Sequence, residues 1–460
     1  MTKLSLITAT LFSVAIGCGD SDDKAMTPDG STPGATPHTF KVHVENIAPW
    51  VALKSGTIDT KLDNTAGPAG PGGAWETTFT AGKGQRLSFA TMFGQSNDWF
   101  FGPGPDGIAL FDDQGNMVTG DVTSQVKLWD AGTEVDQEPN VGPDTGPKQA
   151  TPTQGAADPI AMVRELGTSI TLTDGSTFVR PATTAMIKVT LAKVADRTFT
   201  LRIENVSTAT TLHTSQGNTG IGLSPPLYAV HVASAPLFMT GTADRAQGLE
   251  NIAESGNNAP LRSSVTALTG WPTPISPGVW AVHRDPEPLY GLGLADRGQG
   301  LEHLAEDGNN TPIGSSMTQL AATGTVASAG VFDIPDNAQA KGPAAPGSGF
   351  TLEVTASPGD HLSFATMFGM SNDWIFATQP EGIALFASDG SPLTGDVTDQ
   401  IKIYDVGTEV DQEPAIGPDT APQQAAPNTG ANDADNLVRE VAPARYGMPA
   451  SAHLRITLEP

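Results

Sequence analysis

Apolar and polar residues alternate along Phe40, Val42 and Val44, and again along Leu201 and Ile203, with the period of two expected of a strand that buries one face. Leu87–Phe93 (LSFATMF), Gly107–Phe111 (GIALF) and Gln125–Trp129 (QVKLW) are instead short apolar runs between Gly, Asp and Pro. Runs of that length and spacing predict an antiparallel sandwich. The helical candidates are short. Gln247–Ser255 and Gln299–Asp307 place Leu249 with Ile252, and Leu301 with Leu304, three apart on one face. Each stops at a glycine, Gly256 or Gly308, as a helix end should. The chain reads as mainly β.

Internal repeats organise this pattern. Arg86–Thr145 aligns without a gap on His361–Thr420 at a constant offset of 275, with about two-thirds of positions identical. Both copies open alike, Thr39–Asn46 (TFKVHVEN) against Thr198–Asn205 (TFTLRIEN), and close alike, Ile187–Leu191 against Leu454–Leu458. The openings are offset by 159, so the second copy is 116 residues longer. Most of the excess is a further duplication. Pro226–His231 (PLYAVH) recurs 52 positions on as Gly278–His283 (GVWAVH), and Ala243–Glu250 (ADRAQGLE) as Ala295–Glu302 (ADRGQGLE). Read in chain order, residues 39–197 form a first sandwich and 198–460 a second. The second then carries a doubled block with short helices, about 224–275 and 276–327, which decorates it without entering its sheet.

The first residues carry an address. Lys3 precedes an apolar run, Leu4 to Gly17, that is too short to span a bilayer, and Cys18 follows directly. Ala15-Ile16-Gly17-Cys18 resembles the bacterial lipobox, so residues 1–18 are expected to be a lipoprotein-type signal peptide with Cys18 lipidated. Ordinary signal cleavage beside an incidental cysteine is the alternative. Residues 19–38, rich in Gly, Pro and Asp, read as a flexible tether. The expected destination is the outer membrane or cell surface, with the periplasm or the medium as other possibilities, and contact with membrane is through the lipid alone.

Composition narrows the chemistry. Fifty acidic residues against 24 basic ones give a net charge of −26, which repels phosphate backbones and argues against nucleic acid as a partner. One cysteine in 460 residues excludes a disulfide framework and a thiolate metal cluster. Gly102–Gly107 satisfies G-x-G-x-x-G, but two prolines and a strand-like continuation make it a turn. There is no H-E-x-x-H and no G-x-S-x-G; His231 and His283, the one pair at equivalent positions, read as packed or surface strand residues. What repeats is acidic. Ser96-Asn97-Asp98-Trp99 matches Ser371-Asn372-Asp373-Trp374, and Trp129–Glu138 (WDAGTEVDQE) matches Tyr404–Glu413 (YDVGTEVDQE). Carboxylates on two loops at one end of a sandwich can converge on Ca²⁺, a hard cation that takes six to eight oxygens. They also serve as turn-formers or solvated charges, and the residues alone leave both readings open.

At these residues the resemblance becomes specific. LSFATMFxxSNDW, GIALF, GDVT, (W/Y)DxGTEVDQEP and GPDT, with SPGVWAVH and QGLEHLAEDGN upstream, are similar to the bacterial branch of the spondin (F-spondin N-terminal) domain family. The resemblance implies two C2-like antiparallel β-sandwich domains, each with a divalent-cation site. Carried over, that site would use Glu353, Asp373 and Asp405 in the second copy. In the first, Asp98 and Asp130 match, Thr78 stands opposite Glu353, and Glu76 lies two residues earlier on the same strand face. The second site would then bind more tightly than the first.

The function expected is that of an exported, lipid-anchored surface protein, not an enzyme and without catalytic residues. It would bind or adhere to extracellular matrix, polysaccharide or a surface protein, with Ca²⁺ ordering its loops. A structural envelope protein without a specific ligand is the alternative, and a secreted hydrolase using acidic pairs such as Asp130 and Glu134 a further one.

Overall fold

A computed structural model describes residues 36–151, 154–232, 235–284, 287–442 and 448–460. Cys18, the signal segment and nearly all of the tether lie outside them. Among the described residues the fold is mainly β, with four short helices, α1 (Leu249–Ser255), α2 (Ala259–Ala267), α3 (Leu301–Asp307) and α4 (Thr311–Ala322). His38, placed in the tether by its composition, already pairs with Ala356 as the first residue of a strand.

Four sheets make two sandwiches. One four-stranded sheet runs Ala74–Thr80, Thr198–Asn205, Ile187–Ala195, Gly120–Asp121. Its larger partner includes Lys54–Thr57, Leu227–His231, Arg86–Met92, Trp99–Pro103 and Val126–Asp130. Trp75, Phe79, Phe199 and Leu201 from the first sheet meet Leu87, Phe89, Trp99 and Phe101 from the second in one core. The other pair repeats this with Gly349–Ala356, His38–Asn46, Leu454–Glu459 and Gly395–Asp396 facing a sheet that contains Ser328–Phe332, Ile275–His283, His361–Phe368, Trp374–Thr378 and Ile401–Asp405. Helices α1 and α2 cover the outer face of the first larger sheet at Ala90, Phe100 and Trp129; α3 and α4 cover Ala365, Ile375 and Tyr404 of the second. Both faces of these central strands are buried, which is why LSFATMF reads as an unbroken apolar run and not as an alternation.

Chain order does not predict which strand joins which sandwich. His38–Asn46, the opening strand of the first copy, lies between Gly349–Ala356 and Leu454–Glu459 of the second. Its counterpart Thr198–Asn205 lies between Ala74–Thr80 and Ile187–Ala195 of the first. Phe40, Val42 and Val44 accordingly sit in the second core, and Phe199, Leu201 and Ile203 in the first. The doubled blocks divide in the same way. Leu227–His231 pairs with Lys54–Thr57 and Arg86–Met92, and Ile275–His283 with Ser328–Phe332 and His361–Phe368. The boundary at 197/198 is therefore corrected, as is the idea that the second sandwich holds both blocks outside its sheet. Each sandwich owns one block, and each block contributes a strand. The physical cause is the two-residue turn Asp196-Arg197, which makes Ile187–Ala195 and Thr198–Asn205 hairpin neighbours. That hairpin commits the second opening strand to the first sandwich and leaves its place in the other to residues 38–46. Nor are the sandwiches separate. Lys54 ion-pairs with Glu413, and Gln85 Nε2 donates to the Ala415 carbonyl at 2.8 Å, across them.

His453 closes the second core, fully buried beside Trp50, Phe368 and Phe376 with ring centroids 6.1, 5.4 and 5.8 Å away. Burial pushes its pKa down to about 4, so the folded protein keeps the imidazole neutral where the unfolded chain protonates it. Stability is thus lost as pH falls from 6.5 towards 4, by up to about 3 kcal/mol. In H453F that loss disappears. Urea unfolding of both proteins at pH 7.5 and 5 checks it, because the carboxylates cancel in the difference; parallel pH dependences would refute the assignment.

Candidate metal centre

Each acidic loop is built by its own short-range hydrogen bonds. Ser96 Oγ donates to the Phe93 carbonyl at 2.7 Å and accepts from Trp99 N at 3.0 Å, a turn that holds Asp98 inward; Ser371 repeats it with Phe368 at 2.8 Å and Trp374 at 2.9 Å. Asn97 Nδ2 ties this turn to the second loop through the Val135 carbonyl at 3.0 Å, as Asn372 does through Val410 at 3.1 Å. Gly132 must be glycine. Its φ is +70°, and a Cβ there would lie 2.4 Å from the Met162 carbonyl oxygen. Its N–H donates to Asp130 Oδ1 at 2.6 Å, and Gly407 serves Asp405 at 2.7 Å.

These turns bring Asp98, Asp130 and Asp136 together, with one oxygen of each within 4.8 Å of the others, and do the same for Asp373, Asp405 and Asp411. Asp98 Oδ2 accepts from Thr133 N at 2.9 Å and Glu134 N at 3.0 Å, while Oδ1 is buried without a hydrogen-bond partner. Asp136 Oδ1 accepts from Trp99 Nε1 at 2.7 Å. Among the described residues the cation at the triad is Arg164, which contacts Asp130, Asp136 at 3.2 Å and Asp158 at 2.6 Å. Arg439 does the same for Asp405 at 2.6 Å, Asp411 at 3.6 Å and Asp433 at 2.6 Å. One guanidinium facing several carboxylates leaves a surplus of negative charge in a buried place. Burial, reinforced by the neighbouring carboxylates, pushes Asp98, Asp130, Asp373 and Asp405 well above the usual carboxylate range. Such a cluster relieves its strain by holding protons or by holding a metal ion.

A second carboxylate pair adjoins each triad. Thr133 Oγ1 lies 2.8 Å from Glu254 Oε1 of α1, and Gly155 N donates to Glu134 Oε1 at 2.7 Å; the other oxygen of each glutamate is buried without a hydrogen-bond partner. Glu409 and Glu306 reproduce this, with Gly430 N on Glu409 Oε1 at 2.7 Å. Burial raises Glu254 to about 8 and Glu306 to about 7.

Two sequence-derived candidates fall elsewhere. Glu353 stands on the outward face of Gly349–Ala356, exposed and opposite Lys41 in the ladder. Glu76 is also exposed, and pairs with Arg202 Nη1 at 3.0 Å. The alternation of their strands turns both away from the core, so neither completes a triad. Asp136 and Asp411 take that place, and with them gone the argument for a tighter second site goes too. Both lie inside the repeated TEVDQE run, and Glu254 and Glu306 inside the repeated AESGN and AEDGN; equal spacing in both copies was the available signal. His231 and His283, 0 and 2% exposed, share Nε2 with Ser88 Oγ at 2.9 Å and Ser363 Oγ at 2.8 Å within their sheets. No protein-family model matches this chain, and a search of curated proteins finds no match either.

Proposed function

We propose that this is an exported, spondin-like surface protein that binds a matrix, polysaccharide or protein partner, with a Ca²⁺ ion at each acidic triad setting the loops that meet it. The observation that carries the reading is the buried Asp98 Oδ1 and its twin Asp373 Oδ1, each facing two further carboxylates with one arginine among them. Asp98, Asp130 and Asp136, and Asp373, Asp405 and Asp411, would hold the ions. Carboxylate oxygens alone suit a hard cation, and the partly irregular loops suit the flexible coordination of Ca²⁺ more than the strict octahedron of Mg²⁺. Binding is favoured over catalysis because the serine–histidine pairs are sealed inside sheets and the carboxylates are already committed to loop structure. Attachment through Cys18 completes the picture, since a tether would hold the loops at the cell surface.

Titration calorimetry of the metal-stripped protein should show two Ca²⁺ per chain of similar affinity, with Mg²⁺ at least tenfold weaker. D98N should leave one site and D373N the other. Stoichiometry unchanged in both variants, or no heat from the wild type, would sink the metal assignment.

A further inference from the structure

The two sandwiches repeat each other at the triads and diverge at one pocket. The hairpin that joins Ile187–Ala195 to Thr198–Asn205 overhangs a cavity of about 480 Å³ whose lining includes Lys83, Lys193, Arg197, Asn116 and Thr119. One carboxylate, Asp196, joins them, 78% exposed and 3.7 Å from both Lys193 Nζ and Arg197 Nε. Three cations against one anion make this wall locally positive on a chain of net charge −26.

The donors are held in place. Arg197 sits at φ +54°, a strained backbone kept by its carbonyl, which accepts from Ala81 N at 2.9 Å. Its Nη1 donates to Gln423 Oε1 at 2.9 Å, which orients the guanidinium. Lys83 is pinned at both ends of its backbone by the same Gln423, at 2.7 and 3.0 Å. Its side chain lies over Gly115, where a Cβ would come 2.9 Å from Lys83 Cε.

The second sandwich lacks this arrangement. Pro358 stands at the position of Lys83 and Ser391 at that of Asn116. The corresponding closing and opening strands, Leu454–Glu459 and His38–Asn46, pair without a turn between them, and His38 stands at the position of Arg197. The pocket exists because of the hairpin.

We propose that it binds a compact, doubly charged oxyanion, a phosphate or sulfate group free in solution or carried as an ester. Two flexible ammonium groups and a planar guanidinium suit several oxygens around one centre. The acidity of the rest of the chain does not forbid this, because at 0.15 M salt charges beyond about 8 Å are largely screened.

The test is calorimetry with inorganic phosphate, inorganic sulfate and glycerol phosphate on the full-length chain. At low salt we expect millimolar dissociation constants, and at least tenfold weaker binding in K83Q/K193Q. R197K, which keeps the charge and loses the fork, should weaken binding several-fold; the equally charge-altered K61Q/K148Q should not. Tighter binding of glycerol phosphate than of the free ions would place the natural group on an ester, and the reverse order on the free ion. Equal binding by wild type and K83Q/K193Q, or the same heat from chloride at matched ionic strength, overturns the proposal.

Discussion

Removing residues 1–46 should unfold the sandwich at the far end of the chain and spare the one that follows directly. His38–Asn46 is an inner strand of the second sandwich, laddered on both sides, and it places Phe40, Val42 and Val44 at zero exposure. Three fully buried apolar side chains contribute about 5–9 kcal/mol, without counting the ladder bonds. A domain is stable by only about 5–15 kcal/mol. Hydrogen exchange should therefore show protection lost across 349–460 and kept across 74–205. A peptide of residues 37–47 added in trans should restore it, and V42D should reproduce the loss in a full-length chain. Loss confined to 74–205 would mean that the strand belongs to the first sandwich, as chain order suggests.

The second large effect concerns the arginines that face the triads. R164Q leaves Asp130, at 0% side-chain exposure, without its charge partner, a change that costs about 3–5 kcal/mol for a buried pair. For a sandwich of this size that is about 10 °C in melting temperature. The loss should be large in EDTA and at least halved by millimolar Ca²⁺. The reason lies in the oxygens. Asp98 Oδ2, Asp130 Oδ1 and Asp136 Oδ1 are each engaged by N–H groups, so an ion would use Asp98 Oδ1 with Asp130 Oδ2 and Asp136 Oδ2. Arg164 touches the last two. A cation and the guanidinium therefore compete for the same atoms, and R164Q should bind Ca²⁺ more tightly than wild type while being less stable without it. R439Q should do the same in the other sandwich. An identical drop in EDTA and in Ca²⁺ would mean that the arginine, and not a metal, is the counter-charge this cluster is built for.

The strands were legible because their burial is written in the spacing of Phe40, Val42 and Val44 and in runs such as LSFATMF. The pairing was not. Repeats show which segments are equivalent, and equivalent strands fit either sandwich, so only the tight Asp196-Arg197 turn distinguishes them. The candidate site was half legible. Asp98 and Asp130 follow from repeated motifs, but a third ligand taken from a resemblance pointed to Glu353, whose strand faces it outward. Glu254 was harder still, because its approach to Thr133 depends on how a helical block 121 residues away docks.

The placing of the opening strand also sets an order of events for a chain made from its N-terminus. Residues 54–267 contain every strand and helix of the first sandwich and can fold as soon as they emerge. The strand made before them must wait: its ladder partners are separated from it by 316 residues at Thr39–Thr355 and 410 at Glu45–Arg455. Contacts that distant form slowly, and an unpaired strand is a template for the wrong neighbour meanwhile. Lys41, His43 and Glu45 line one of its faces, and charge on a waiting strand discourages such pairing. Leu454–Glu459, made after every other strand of its sheet, is the one that locks the first strand in place.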